Sequence, residues 1–266
     1  MDVLTIISIL RSVCSGGELS LNTNKPYGEL ASLYDRVMLH VKYDNWAEYI
    51  SLIFERYRKK VGTILEIACG TGSLSIYLHK LGYDIISTDL SPAMLAVASE
   101  KFRKIGMPQK LFAADMTQLP MVGRYDAVLC LYDSINYLKD SADFRIAVSE
   151  ASRVLKRGGL YIFDVCTVKN SRMFFSNHTV VEDLGEVKYE RVCTYKTRQN
   201  IQENLFVIEH DGSRIKEKHE QRIYRLGEID AMIRGLPFKT LGIFDDLTFR
   251  DGTENSERVH YVLEKI

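Results

Sequence analysis

Little in this chain marks it as secreted, membrane-spanning or built for a polyanion. Its 35 Lys and Arg are matched by 35 Asp and Glu, so no net field gathers a nucleic acid. The 5 cysteines in 266 residues, at 14, 69, 130, 166 and 193, show no CxxC spacing. That argues against a structural zinc site and for a reducing, cytoplasmic setting, and no metal is expected. No apolar run is long enough to cross a bilayer; Val3 to Leu10 is too short, and Asp2 stands where a signal peptide carries basic charge. That run reads as a short helix or frayed extension. Residues 15–26, SGGELSLNTNKP, read as a linker, so 1–26 form an extension.

The remaining composition, 46% hydrophobic and 26% charged, is that of a globular protein with a real core. YGELASLYDRVM reads as a helix with Leu30, Leu33, Tyr34 and Val37 on one face. Asp44 is expected to cap the next helix, whose inner face carries Trp46, Tyr49, Ile50, Ile53 and Tyr57. From residue 63, apolar runs (63–68, 83–88, 110–114, 125–131, 159–165) alternate with helical segments, one of them opened by Ser91-Pro92. Continuous apolar strands separated by helices imply a doubly wound α/β domain with a mostly parallel sheet. Residues 169–226 alternate with period two and read as an antiparallel β insert after the fifth strand. A helix and two further strands in 227–266 return to the domain formed by 27–168.

ILEIACGTGSLS (64–75) places a glycine turn between the first strand and first helix. The dinucleotide pattern GxGxxG fails there in both registers, because Ala68 and Ser73, or Ser75, stand where glycine is wanted. Glu66 sits before the turn, where it would repel a pyrophosphate. Asp89 ends the second strand, suited to ribose hydroxyls, and Asp115 ends the third, suited to an adenine amine with the Met116 N–H beside it. Three acids at successive strand ends suit a ligand with an adenosine and a cation.

With Glu66-x-x-x-Gly70-x-Gly72, STDLSPAML, AADMTQLP, YDAVLCL and LKRGGLYIFDV, the chain resembles a class I S-adenosylmethionine-dependent methyltransferase. The resemblance covers about residues 60–168, with Ala68 standing for the first of the usual three glycines. It implies a seven-stranded Rossmann-like sheet and S-adenosyl-L-methionine as cofactor. It also implies that Glu66, Gly70 and Gly72 surround the methionine part, that Asp89 binds the ribose and Asp115 and Met116 the adenine, and that Ala68, Leu90 and Met94 also belong to the cofactor site. Leu131 would offer its backbone to the methionine amine. The flanks, YGELASLYDRVM and CLYDSINYL, resemble glycine and amino-sugar N-methyltransferases and bacterial relatives. That layout places Tyr34 over the cofactor, with Tyr27 and Tyr43 as weaker candidates.

Methyl transfer from a sulfonium needs alignment and exclusion of water more than a strong base. Tyr132, Asp133, Asn136 and Tyr137 follow the fourth strand; Asp133 and Tyr137 are the candidates for positioning an acceptor, against turn-forming and packing roles. His219 and Arg222 could bind an anion, but KEKHEQR reads first as a solvated strand face. The expected reaction is methyl transfer to N or O of a small molecule, with a homodimer as a possible assembly. The alternatives are an RNA or protein methyltransferase and, more remotely, an NAD-dependent oxidoreductase. Nucleic acid is disfavoured, since DSINY replaces the Asn/Asp-Pro-Pro-Tyr/Phe loop of enzymes acting on flipped bases.

Overall fold

The computed structural model of the chain describes residues 27–28, 30–121, 123–183, 187–210 and 213–266. The apolar run 3–10 and the linker 15–26 lie outside them. A 3₁₀ turn, Leu30–Ser32, and the short helix α1, Tyr34–Val37, lead into α2, Tyr43–Arg56. Then β1 (Thr63–Ile67), α3 (Ser73–Lys80), β2 (Asp84–Asp89), α4 (Pro92–Lys104) and β3 (Leu111–Ala113) follow. Next come β4 (Tyr125–Cys130), α5 (Ser141–Val154), β5 (Leu155–Cys166) and α6 (Val168–Phe174). Four strands succeed them: β6 (His178–Asp183), β7 (Val187–Lys196), β8 (Ile201–His210) and β9 (Ser213–Arg222). The last elements are α7 (Leu226–Ile233), β10 (Phe238–Asp245) and β11 (Arg258–Lys265).

The expected doubly wound sheet is present, in the order β10-β11-β5-β4-β1-β2-β3. Strands β1 to β5 are parallel, while β11 runs antiparallel to both its neighbours. Alternate residues go to opposite layers. Leu65, Val128 and Phe163 pack with Phe144 and Val148 of α5 and Ile229 of α7. Ile64, Leu129 and Ile162 pack with Ile50 and Ile53 of α2, Leu78 of α3 and Phe102 of α4. Each such burial contributes about 1.5–3 kcal/mol, so the strand ends are firmly placed. The chain winds outward in both directions from β1, and a ligand crevice forms beyond the carboxyl ends of the strands at such a reversal.

Ser91 caps α4, its Oγ accepting from the Met94 N–H at 3.2 Å with Pro92 in the first turn. Asp44 does not cap α2. The helix starts at Tyr43 after Lys42, and Asp44 Oδ1 accepts from the Asn45 N–H. An acid inside the first turn serves the helix dipole as well, and local sequence does not separate the two places. The helix expected from Tyr27 is also broken. Glu217 takes the Tyr27 N–H at 2.9 Å and the Leu30 N–H at 2.8 Å, leaving only the 3₁₀ turn and α1.

The insert is one antiparallel sheet, β6-β7-β8-β9. Its registers align Arg191 with Phe206 and Glu217, Cys193 with Asn204 and His219, and Tyr195 with Gln202 and Gln221. These residues therefore share one face. Tyr189, Phe206 and Ile208 on that face pack against Leu30 and Leu33, seating the N-terminal segment on the insert. Among the described residues no helix is long and apolar enough to cross a membrane.

The turn after β1 carries three left-handed residues: Ala68 (φ 55°), Gly70 (φ 56°) and Gly72 (φ 71°). A Cβ on Gly72 would lie 2.7 Å from Phe102 Cε1, within the α3–α4 contact. Gly72→Ala is expected to cost about 2–4 kcal/mol, from backbone strain plus overpacking. Ala68→Gly is expected to gain about 0.5–1 kcal/mol by relieving the same strain. Urea unfolding midpoints read both; a neutral Gly72→Ala would show that Phe102 yields freely.

Candidate active site

A cavity of about 1160 Å³ lies beyond the carboxyl ends of β1, β2 and β4, walled by the N-terminal segment and the inner face of the insert. Its floor is acidic. Glu66, 4% exposed, accepts from Ser75 Oγ, which in turn meets Ser87 Oγ at 2.8 Å. Burial pushes the Glu66 carboxyl up to about 7, the Ser75 bond opposing the shift and neighbouring Asp89 adding to it. Asp89 bridges two loops: Oδ2 accepts from the Gly70 N–H and Oδ1 from the Ser91 N–H, each at 2.8 Å. Burial raises its carboxyl as well, against those backbone amides.

Ala68, Gly70, Leu90, Met94, Met116 and Leu131 line the same floor, and Asp115 reaches its rim. Asp115 is exposed and accepts from Thr117 N and Oγ1 at 2.8 and 2.7 Å, a strand-end turn. The Leu131 carbonyl accepts from Ser134 Oγ at 2.8 Å. Gly72 is the exception among the expected residues. It does not line the cavity, and its glycine answers to the left-handed backbone and to Phe102.

The walls are aromatic. Tyr34 lines the cavity, its ring edge-on to Tyr27 at 5.7 Å, and its hydroxyl has no hydrogen-bond partner among the described residues. Tyr43 and Tyr132 line it too, their centroids 6.4 Å apart. Tyr27 and Tyr137 share a hydroxyl–hydroxyl bond of 2.5 Å, and Tyr137 Oη meets His219 Nδ1 at 3.0 Å. His219 is 1% exposed, so the expected solvated strand face is wrong for it. In KEKHEQR the odd positions Glu217, His219 and Gln221 turn inward, while Lys218 and Glu220 pair outside. Arg222 does stay outward, donating to the Lys139 carbonyl and lying over the Tyr224 ring.

Asp133 is buried in a network that sequence reasoning missed. Its Oδ1 accepts from Arg258 Nη2 at 2.7 Å and its Oδ2 from Gln221 Nε2 at 2.6 Å. Arg258 also pairs with Asp164 on β5, and its guanidinium lies over Tyr132 (4.8 Å) and Trp46 (5.4 Å). The Asp133 N–H donates to Asp164 at 2.9 Å, and Tyr132 and Asp133 both take positive φ (59° and 50°). Asp133 stands at the start of the 3₁₀ turn Ser134–Tyr137 without capping it. Asn136 is fully buried and joins Cys166 N to the Arg222 carbonyl, away from the cavity lining. Arg191 and Asn204 of the insert also line the cavity, and neither was anticipated. Both lie on strands whose alternation was legible, but only the register reveals which parity faces inward.

A methyltransferase-domain family model matches residues 64–159. The chain is 30% identical to YqeM, a methyltransferase-family protein of Bacillus subtilis (strain 168), over 244 residues, 90% of this chain and 97% of that one. It is 38% identical over 115 residues to a glycine/sarcosine N-methyltransferase of Parasynechococcus marenigrum, covering 42% of this chain and 41% of that protein. A solved S-adenosylmethionine-dependent methyltransferase from Clostridium acetobutylicum superimposes with a TM-score of 0.79 at 26% identity, over 91% of this chain and 99% of that one. With its switch-point crevice, acidic floor and full-length relatives, this chain belongs to the class I S-adenosylmethionine-dependent methyltransferases.

Proposed function

We propose that the protein methylates N or O of a small molecule held between the acidic floor and the inner face of the insert. The observation that carries this reading is the one cavity joining Glu66 and Asp89 to Tyr137, His219 and Arg191. Its volume, about 1160 Å³, exceeds the range usual for a single ligand, roughly 300–1,000 Å³. The glycine/sarcosine relative supports a small acceptor.

The floor fits the cofactor. Gly70 has no atom within 4 Å of where a Cβ would stand, so its backbone can approach a ligand. In this reading Asp89 and Leu90 hold the ribose, while Met94, Asp115 and Met116 hold the adenine. Glu66, Ala68, Gly70 and Leu131 hold the methionine part; Gly72 only shapes the turn. When bound, S-adenosylmethionine supplies an activated methyl group, its S–C bond breaking as the N–C or O–C bond forms. The chain aligns the acceptor and excludes water. Tyr34 closes the site from the N-terminal segment. Tyr137 positions the acceptor and passes a released proton to His219 Nδ1. Asp133 positions rather than deprotonates, since each of its oxygens already accepts from Arg258 or Gln221.

Release of S-adenosylhomocysteine on supplying the low-molecular-mass fraction of a cell extract is the expected outcome. Turnover confined to the RNA or protein fraction would overturn the reading. Glu66→Gln gives a second test, with two effects of opposite sign. A carboxyl held up to about 7 when folded has an ordinary value near 4.3 when unfolded, so it stabilises below that value. This stability is lost as pH rises through 7. Without its cofactor, Glu66→Gln should therefore exceed the parent in stability by about 3 kcal/mol at pH 8 and converge with it toward pH 4. S-adenosylmethionine should bind the variant more weakly, and its binding to the parent should weaken below pH 7. Unfolding curves and calorimetry across pH measure both; equal affinity in the two proteins would remove Glu66 from the cofactor site.

A further inference from the structure

The charges around the cavity are divided. Glu66, Asp89 and Asp115 belong to the sheet side, and Asp133 is committed to Arg258. The lining of the insert contributes Arg191 but no carboxylate. Glu217, on the same sheet, does not line the cavity; its oxygens accept from Tyr27 N and Leu30 N. Arg258 has two carboxylate partners. Arg191 has none among the described residues.

Arg191 is nevertheless held in place. Its Nε donates to Asn204 Oδ1 at 3.1 Å, and its guanidinium lies 5.1 Å from the Phe175 ring centre and 5.6 Å from that of Phe206. Stacked on two rings, fixed at Nε and hydrogen-bonded to the Cys193 sulfur, the guanidinium has no carboxylate to close its fork among the described residues. A half-buried guanidinium with an open fork is matched by a planar oxyanion. Asn170, which also lines the cavity, has a buried Oδ1 with no partner, a second polar group available to a ligand.

We infer that Arg191 is an oxyanion site for the methyl acceptor, and that the acceptor is a small carboxylate-bearing molecule with an apolar body against Phe175 and Phe206. This rests on the reading of the insert side as the acceptor site. It also replaces Arg222, which faces away, as the cation of that site. The acceptor's anion is thus anchored on the insert, while its nucleophile is directed to the floor. Attraction to Arg191 and repulsion from the acids of the floor favour the same orientation.

The test is calorimetry on the full chain loaded with S-adenosylhomocysteine, titrated with benzoate, benzamide and inorganic phosphate. Benzoate is expected to bind at least roughly tenfold tighter than its neutral isostere benzamide. In Arg191→Met benzoate should fall to the level of benzamide, while S-adenosylmethionine affinity and the thermal midpoint hold. Arg191→Lys, which keeps charge but not the fork, should fall between them. Phosphate binding that depends on Arg191 and exceeds that of benzoate would keep the oxyanion site but overturn the carboxylate assignment. Equal binding of benzoate and benzamide by the parent protein, a comparison needing no variant, would overturn the proposal. So would Arg191-independent binding of both anions. Failure of the small-molecule reading appears separately, as turnover on macromolecular fractions only.

Discussion

The buried guanidinium of Arg258 joins the two sides of the cavity. It opens β11, one strand in from the edge of the large sheet, and holds Asp164 of the neighbouring strand and Asp133 of the loop after β4. Asp133 in turn accepts from Gln221 of the insert. β5, β11, the loop after β4 and the insert thus share one charge network. Removing one member of such a network leaves an uncompensated buried charge, typically at a cost of about 3–5 kcal/mol. The two consecutive left-handed residues, Tyr132 and Asp133, are held by it. Backbone strain of this kind persists where surrounding contacts over-determine it.

A second constraint acts on the floor. A parallel sheet buried on both faces brings its strand ends together under dry walls, and any carboxylate there loses water. Glu66 is raised by that burial, and Asp89 is raised less because Gly70, Leu90 and Ser91 give it backbone amides. The fold therefore keeps an unfavourable charge where a cation would relieve it, at the expense of stability without ligand.

What could be read from sequence was local. The apolar runs, Ser91-Pro92 and the Glu66–Gly72 turn announce themselves within a few residues, and sheet and crevice follow from them. Residues whose meaning depends on distant partners stayed hidden. Arg258 meets Asp133 across 125 positions, and ERVHYVLEKI reads only as a strand. KEKHEQR looked solvated because its charges were averaged; taken at period two, its inner parity is Glu217, His219 and Gln221. Spacing groups Gly72 with the ligand turn, and spacing alone does not show that the same glycine also stands against Phe102. Asp44 lies two residues past the position that caps the helix, Lys42, within the ordinary uncertainty of a helix start.

The clasp between Glu217 and the amides of Tyr27 and Leu30 has a meaning in time as well as in space. The partners are 190 and 187 residues apart, and at about 5–20 residues per second of synthesis some ten to forty seconds separate their emergence. When Glu217 emerges, β1 to β5 have already been made, and until then the segment bearing Tyr27 and Tyr34 can be held only from the sheet side, through Ser91, Thr71 and Lys101. Loop closure over such a span is slow and comes late. The insert wall of the cavity is therefore made only after the strands of its floor, and β11, whose Arg258 ties Asp133 in place, is made later still.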